Sequence, residues 1–203
     1  MEEKAAKIIS IIFHPLLIPT YALLLLINTN THFTLTLPLD YRYITVSFVF
    51  LSSFVLPTLV MLILLKMGKI NSLEMKSRQE RTLPLFIVAG FFYGTYYLLN
   101  QGPHLALFNI FMLGATLLVI MSLLVNYFTK ISIHMVALGG MFGTFAGFAI
   151  AFQVELTFIL YIILLVVGIT GFARLKLKAH TQAQVYTGFA LGAIFMLGLF
   201  LFL

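Results

Sequence analysis

Residues 130–152 read KISIHMVALGGMFGTFAGFAIAF, one lysine followed by a run in which only Ser132, His134 and Thr144 are conspicuously polar. A helix rises about 1.5 Å per residue, so roughly 20 apolar residues cover the ~30 Å hydrocarbon core of a bilayer. This stretch therefore reads as a membrane span. Working outward, residues 8–27, 43–65, 83–99, 105–129, 156–172 and 183–203 read the same way. The expected fold is all-α, a polytopic transmembrane helix bundle of about seven spans. Segments 83–99 and 156–172 are short, and only Lys130 separates 105–129 from 131–152, so six spans with a re-entrant piece is the alternative reading.

Composition agrees with the pattern. The chain has 203 residues, 62% of them hydrophobic and 9% charged, too little polar surface to cover a soluble globule. Nothing in it resembles a soluble domain or a low-complexity tract, and residues 1–203 are expected to form one integral membrane domain. The N-terminus has the charges and apolar run of a signal peptide. Its run is too long and lacks a small-residue cleavage site, so 8–27 is expected to be a retained first span. The absence of cysteine removes disulfides, thiolate nucleophiles and thiolate metal sites from consideration.

The formal charge of +6 is distributed unevenly. Connections 28–42, 100–104 and 153–155 hold only Arg42 among the basic residues. The other connections and the N-terminus hold the remaining eleven of the twelve. With seven spans these eleven share one side, which the positive-inside rule assigns to the cytoplasm. Short basic loops between apolar runs fit anionic lipid as a partner better than nucleic acid, which needs a continuous exposed basic stripe. A bacterial-type inner membrane is the expected location. Lys66 and Lys69, like Lys176 and Lys178, read as headgroup anchors.

Glycine spacing suggests how helices pack. Gly139, Gly143 and Gly147 lie on one helix face, as do Gly188 and Gly192. Small residues at this spacing let helix backbones approach closely in lipid. Packing within the chain is the ordinary expectation, and homodimerisation is the other. Asn109 and Asn126 are expected to form interhelical hydrogen bonds.

Three polar islands interrupt the apolar pattern: Glu74 to Pro84, Lys130 to His134 and Ala173 to Gln184. They hold His134, His180 and seven basic residues. Such groups at a membrane boundary point to the handling of something anionic. Arginine grips phosphate with a planar fork of donors, lysine supplies a mobile point charge, and an imidazole near neutral pH serves as nucleophile or acid.

In the third island Arg174 and His180 are separated by five residues, with Val185 and Gly188 following. The order resembles the last signature of the type 2 phosphatidic acid phosphatase superfamily: Ser-Arg, five residues, His, three residues, Asp, then Val-x-x-Gly. Ala173 stands where that family has Ser, and Gln184 where it has Asp. Ser132-x-His134 is similar to the family's Pro-Ser-Gly-His signature without its Pro and Gly. Glu74 to Pro84 resembles its Lys, six residues, Arg-Pro signature loosely: Arg81 has Pro84 three residues on, and Lys76 or Arg78 must substitute for the lysine. Some 45 mostly apolar residues, Leu85 to Thr129, separate the first two signatures, which the family usually keeps in one loop.

The resemblance implies a metal-independent lipid phosphate phosphatase with no cofactor. His180 would be the phosphohistidine nucleophile and His134 the acid on the departing lipid alcohol. Arg174, Arg81, Lys76 and Ser132 would hold phosphoryl oxygens. Gln184, at i+4 from His180, is expected to accept the ring's Nδ1 hydrogen without neutralising an imidazolium. A headgroup phosphotransferase and a non-catalytic anionic-lipid binder or transporter are the alternatives. His14, before Pro15, is expected to be a kink or packing feature, and His32 and His104 are assigned no chemistry.

Overall fold

The computed structural model describes residues 2–29, 38–75, 77–102 and 106–202. Its elements are helices α1 (Glu2–Ile12), α2 (Ile18–Ile27), α3 (Leu39–Lys66), α4 (Arg78–Leu99), α5 (Ala106–Phe128), α6 (Ile133–Phe152), α7 (Thr157–Lys176) and α8 (Gln182–Leu201). Six of these, α3 to α8, are long and apolar enough to cross a membrane. Their outer faces carry large apolar side chains in the open, such as Phe158, Tyr161, Leu165 and Phe172 on α7, which only a lipid surround accommodates over so large an area. The chain is an integral membrane protein.

The first apolar segment differs from expectation. Residues 8–27 do not form one span but end α1 and form α2, with a break over Phe13 to Leu17. At 11 and 10 residues, α1 and α2 each reach only about 15 Å, half the hydrocarbon thickness. Pro15 causes the break: it has no N–H to donate back along the helix and pushes His14 away from helical dihedrals. Two short bonds then turn the chain, Leu17 N–H to His14 O (2.8 Å) and Ile18 N–H to Pro15 O (3.3 Å).

The two segments that looked short gain length from their islands. Helix α4 starts at Arg78 because Ser77 caps it, its side chain accepting the Glu80 N–H at 3.3 Å. Helix α7 runs on through Arg174 to Lys176, where positive charge complements the C-terminal end of the helix dipole. Helix α3 contains a π turn at Leu51–Val55, just ahead of Pro57. The proline cannot donate to the carbonyl four residues back, and the ladder shifts by one residue there.

The described residues fall into two compact units, one built from the N-terminal 18 residues with 130–203 and the other from 19–129. In the first unit α6 and α8 form the most intimate pair, while α7 packs against both α6 and α1. The α6–α8 contact is made backbone to backbone. A Cβ added at Gly143 would lie 2.2 Å from Ala193 O, and one at Gly192 would lie 2.1 Å from Val136 O. The glycine stripes therefore serve packing within the chain. Phe145 and Phe148 are fully enclosed beside them, with Leu138, Met135 and Met196 nearly so.

In the second unit α4 pairs with α5, and the π turn of α3 lies against α4. Both asparagines of α5 bond to α4 or its end: Asn126 Nδ2 donates to Arg78 O at 2.9 Å, and Asn109 Nδ2 to Asn100 Oδ1 at 3.1 Å. These are the interhelical bonds expected of them.

Candidate functional site

The Arg174-x5-His180 spacing corresponds to one local structure, a helix end, a single left-handed residue and a new helix start. Arg174 is in the last turn of α7. Lys178 N–H bonds to Leu175 O (2.9 Å) and Ala179 N–H to Arg174 O (3.2 Å), the paired bonds of a Schellman ending. That ending puts Lys178 at φ 49°, a conformation that glycine adopts without strain and lysine does not. Thr181 then caps α8, its side chain accepting Gln184 N–H. His180 is held between the two helices with only 8% of its surface exposed.

Gln184 does two jobs. Its Oε1 accepts Thr181 N–H at 3.3 Å and lies 3.1 Å from His180 Nδ1. A backbone N–H can only donate, so the atom facing it is the amide oxygen, and His180 must donate from Nδ1. In the neutral ring the basic lone pair is then on Nε2. This is the contact expected of Gln184, and the capping role explains why the side chain cannot swing away.

The second island meets the third. Lys130 Nζ donates to Ala179 O at 3.1 Å, and Ser132 N–H to Gln184 O at 3.3 Å. Ser132 is the N-cap of α6, its carbonyl accepting Met135 N–H and Val136 N–H, each at 3.0 Å. Its hydroxyl does not cap the helix: the residue is fully enclosed and Oγ has no hydrogen-bond partner.

His134 follows in the first turn of α6. Its Nε2 lies 3.1 Å from Ser10 O of α1, and since a carbonyl only accepts, Nε2 carries the hydrogen. Arg174, His14 and His180 are all within electrostatic reach of this ring. The Arg174 Nε is shielded from solvent. At the surface beyond, Lys176 pairs with Glu2 and holds its carboxyl below the usual carboxylate range.

No protein-family model, no curated protein and no solved structure matches this chain. The geometry of the site alone therefore carries the functional reading.

Of the residues singled out in the sequence, Arg174, His180, Gln184, Ser132 and His134 gather in the first unit. Arg81 belongs to the second unit, where it is 7% exposed and its Nε donates to Met75 O at 2.9 Å, bracing the loop before α4. Its neighbour Arg78 is engaged similarly, donating to Phe128 O at 2.6 Å at the C-terminal end of α5. Lys76, His32 and His104 lie outside the described residues.

His14 is at the kink and packs, as expected of it. Its ring meets that of His134 edge to face, with centroids 5.7 Å apart, and its Nδ1 accepts Leu16 N–H at 3.3 Å.

Proposed function

We propose that the chain is a membrane phosphatase of lipid phosphates, working through a phosphohistidine as the type 2 phosphatidic acid phosphatases do. The observation that carries this reading is the tautomer of His180. With Nδ1–H on Gln184 Oε1, the nucleophilic lone pair is on Nε2, in a residue that shares with Arg174 electrostatic reach of His134.

In the first step His180 Nε2 attacks phosphorus, an N–P bond forms, and the bond to the lipid oxygen breaks. Charge accumulates on the phosphoryl oxygens, where Arg174 and the Ser132 hydroxyl are the fitting donors. The leaving alkoxide takes a proton from His134, which enters this step as the imidazolium and releases the proton of Nδ1 while Nε2–H stays on Ser10 O. In the second step His134 accepts a proton from water, the resulting hydroxide attacks phosphorus, and the N–P bond breaks to free phosphate and restore His180. Gln184 orients the nucleophile but leaves the developing imidazolium unneutralised, so turnover is expected to be modest.

The substrates that fit are phosphomonoesters or pyrophosphates of lipids: phosphatidate, phosphatidylglycerol phosphate or a polyprenyl pyrophosphate. A lipid hydroxyl replacing water in the second step would make the same site a headgroup phosphotransferase. The basic loops support a cytoplasmic orientation in a bacterial-type inner membrane. Purified protein should release phosphate from at least one of these lipids, and His180→Ala should reduce that release to background. Equal background rates from both proteins on all three lipids would refute hydrolysis.

Two observations favour a second reading. His134 commits Nε2–H to a backbone carbonyl, and Gln184 is uncharged, both compatible with a site that holds an anionic lipid without cleaving it. Tight lipid-phosphate binding without turnover, and no gain from Gln184→Asp, would select that reading.

A further inference from the structure

The hydroxyls of the first unit divide sharply. Thr144 and Thr187 donate to the carbonyls of Gly140 and Ala183 at 2.8 and 2.7 Å, the ordinary back-bond of a helical threonine. Thr181 caps α8, and Thr157 bonds to Glu155. Among the described serines and threonines of this unit three remain: Ser10, Ser132 and Thr170, exposed by only 7%, 0% and 0%, with no hydrogen-bond partner for any of their hydroxyls. Ser10 and Thr170 are helical, so the carbonyl four residues back was within reach of each and is not used.

All three flank the same groups. Ser10 offers its carbonyl to His134, Ser132 is two residues before His134, and Thr170 is one turn before Arg174 on the buried face of α7. An enclosed hydroxyl without a partner is costly, and three on residues that adjoin His134 or Arg174 call for an acceptor. His14 joins them. Because its Nδ1 accepts Leu16 N–H, the hydrogen of the neutral ring is on Nε2, in a residue within electrostatic reach of both Arg174 and His134.

We propose that the N-terminal segment is part of the site: His14 Nε2–H, with the hydroxyls of Ser10 and Thr170, supplies a second set of donors for the oxygens of a phosphoryl group beside Arg174. The inference rests on the phosphate-ester reading of this site, though not on its turnover. Helix α1 thereby has a purpose beyond anchoring. It docks on α7, and the break at Pro15 sets His14 against His134. Neutral donors suit a phosphate that a single guanidinium must otherwise hold, because they bind oxygen without adding to repulsion between cations.

The test uses the full chain in detergent micelles and inorganic phosphate as the probe, with binding read from phosphorus resonance broadening. Two variants of His14 separate roles. His14→Asn keeps an acceptor where Nδ1 meets Leu16 N–H but loses the distal donor; His14→Gln keeps a donor near Nε2. Expected are phosphate binding by the unaltered protein, a loss of about tenfold or more in His14→Asn, as for removal of one charge-assisted hydrogen bond, and recovery of most of it in His14→Gln. Ser10→Ala should weaken binding several-fold with helix content unchanged.

No binding by the unaltered protein would overturn the inference. So would equal binding in His14→Asn, or rescue by asparagine but not by glutamine, which marks a merely structural turn. Lipid hydrolysis is scored in parallel. If His14→Asn retains the kcat and KM of the unaltered enzyme, the donor set is wrong while the hydrolase reading stands. If no lipid is cleaved yet phosphate binding follows the His14 series as expected, the donor set stands and the hydrolase reading falls.

Discussion

Replacing Gly192 by alanine should separate α6 from α8. The added Cβ would lie 2.1 Å from Val136 O, 2.5 Å from Gly140 N and 3.0 Å from Gly139 C, whereas ordinary contact begins near 3.4 Å. All three atoms belong to the backbone of α6, and no rotamer change can move them. The helices must part by more than 1 Å, and a gap of that size forfeits a quarter to a half of each dispersion contact across the seam. In lipid no hydrophobic gain between helices compensates. We expect a loss of about 3 kcal/mol, the upper part of the range for overpacked cores. Gly168 is the control, with nothing within 4 Å of its added Cβ, and Gly168→Ala should lie within about 1 kcal/mol of the unaltered protein on either side. Gly171, whose added Cβ would meet side chains at 3.5 Å or beyond, should fall between the two. Reversible unfolding in mixed micelles of increasing SDS fraction measures the series. Tyrosine signals serve as the reporter, since the chain has nine tyrosines and no tryptophan. Equal midpoints for Gly192→Ala and Gly168→Ala would refute backbone contact between α6 and α8.

Lys178→Gly relieves a left-handed residue at the end of α7 and should gain about 0.5–1 kcal/mol in the same titration with phosphate release unchanged. Gln184→Ala removes the side-chain half of the capping box, the bond from Thr181 N–H, together with the acceptor for His180 Nδ1, so it should lose about 1 kcal/mol of stability and most of the turnover. Gln184→Asp should raise the turnover above that of the unaltered protein. Asn126→Leu takes away the bond to Arg78 O, and a midpoint lowered by about 1–2 kcal/mol is expected. A cysteine placed at exposed Lys69, in a chain that has no other, should resist an impermeant thiol reagent on intact cells; labelling from outside would reverse the cytoplasmic orientation.

Much of the site was legible because its logic is local. Arg174, His180 and Gln184 fall within eleven residues, and their arrangement follows from a Schellman ending, a threonine cap and i to i+4 spacing, all of which operate at short range. The pairing of Ser132 and His134 with that turn was suggested by order along the chain alone. Arg81 and His14 were harder. A basic residue near a proline fits a phosphate ligand and a loop brace equally well by type, and the bond from Arg81 Nε to Met75 O, which braces the loop before α4, is a tertiary detail that no residue type announces. A histidine before a proline looks like a kink, which it is. That the kink also sets its ring against His134 depends on how α1 packs on α7.

Membrane residence, helical class and the approximate number of spans were determined by the sequence itself, because the length of an apolar run compared with bilayer thickness is a property of the run. Close packing at Gly139, Gly143, Gly188 and Gly192 was likewise readable as a tendency, since small residues at helical spacing permit it. Which helices would meet was decided only by tertiary structure, as were the break of the first segment into two short helices and the placement of His14 and Ser10 against His134. Those outcomes depend on contacts between residues far apart in the chain, such as His134 with Ser10, 124 positions away. Their energies arise from shape fitting between surfaces that no local pattern encodes.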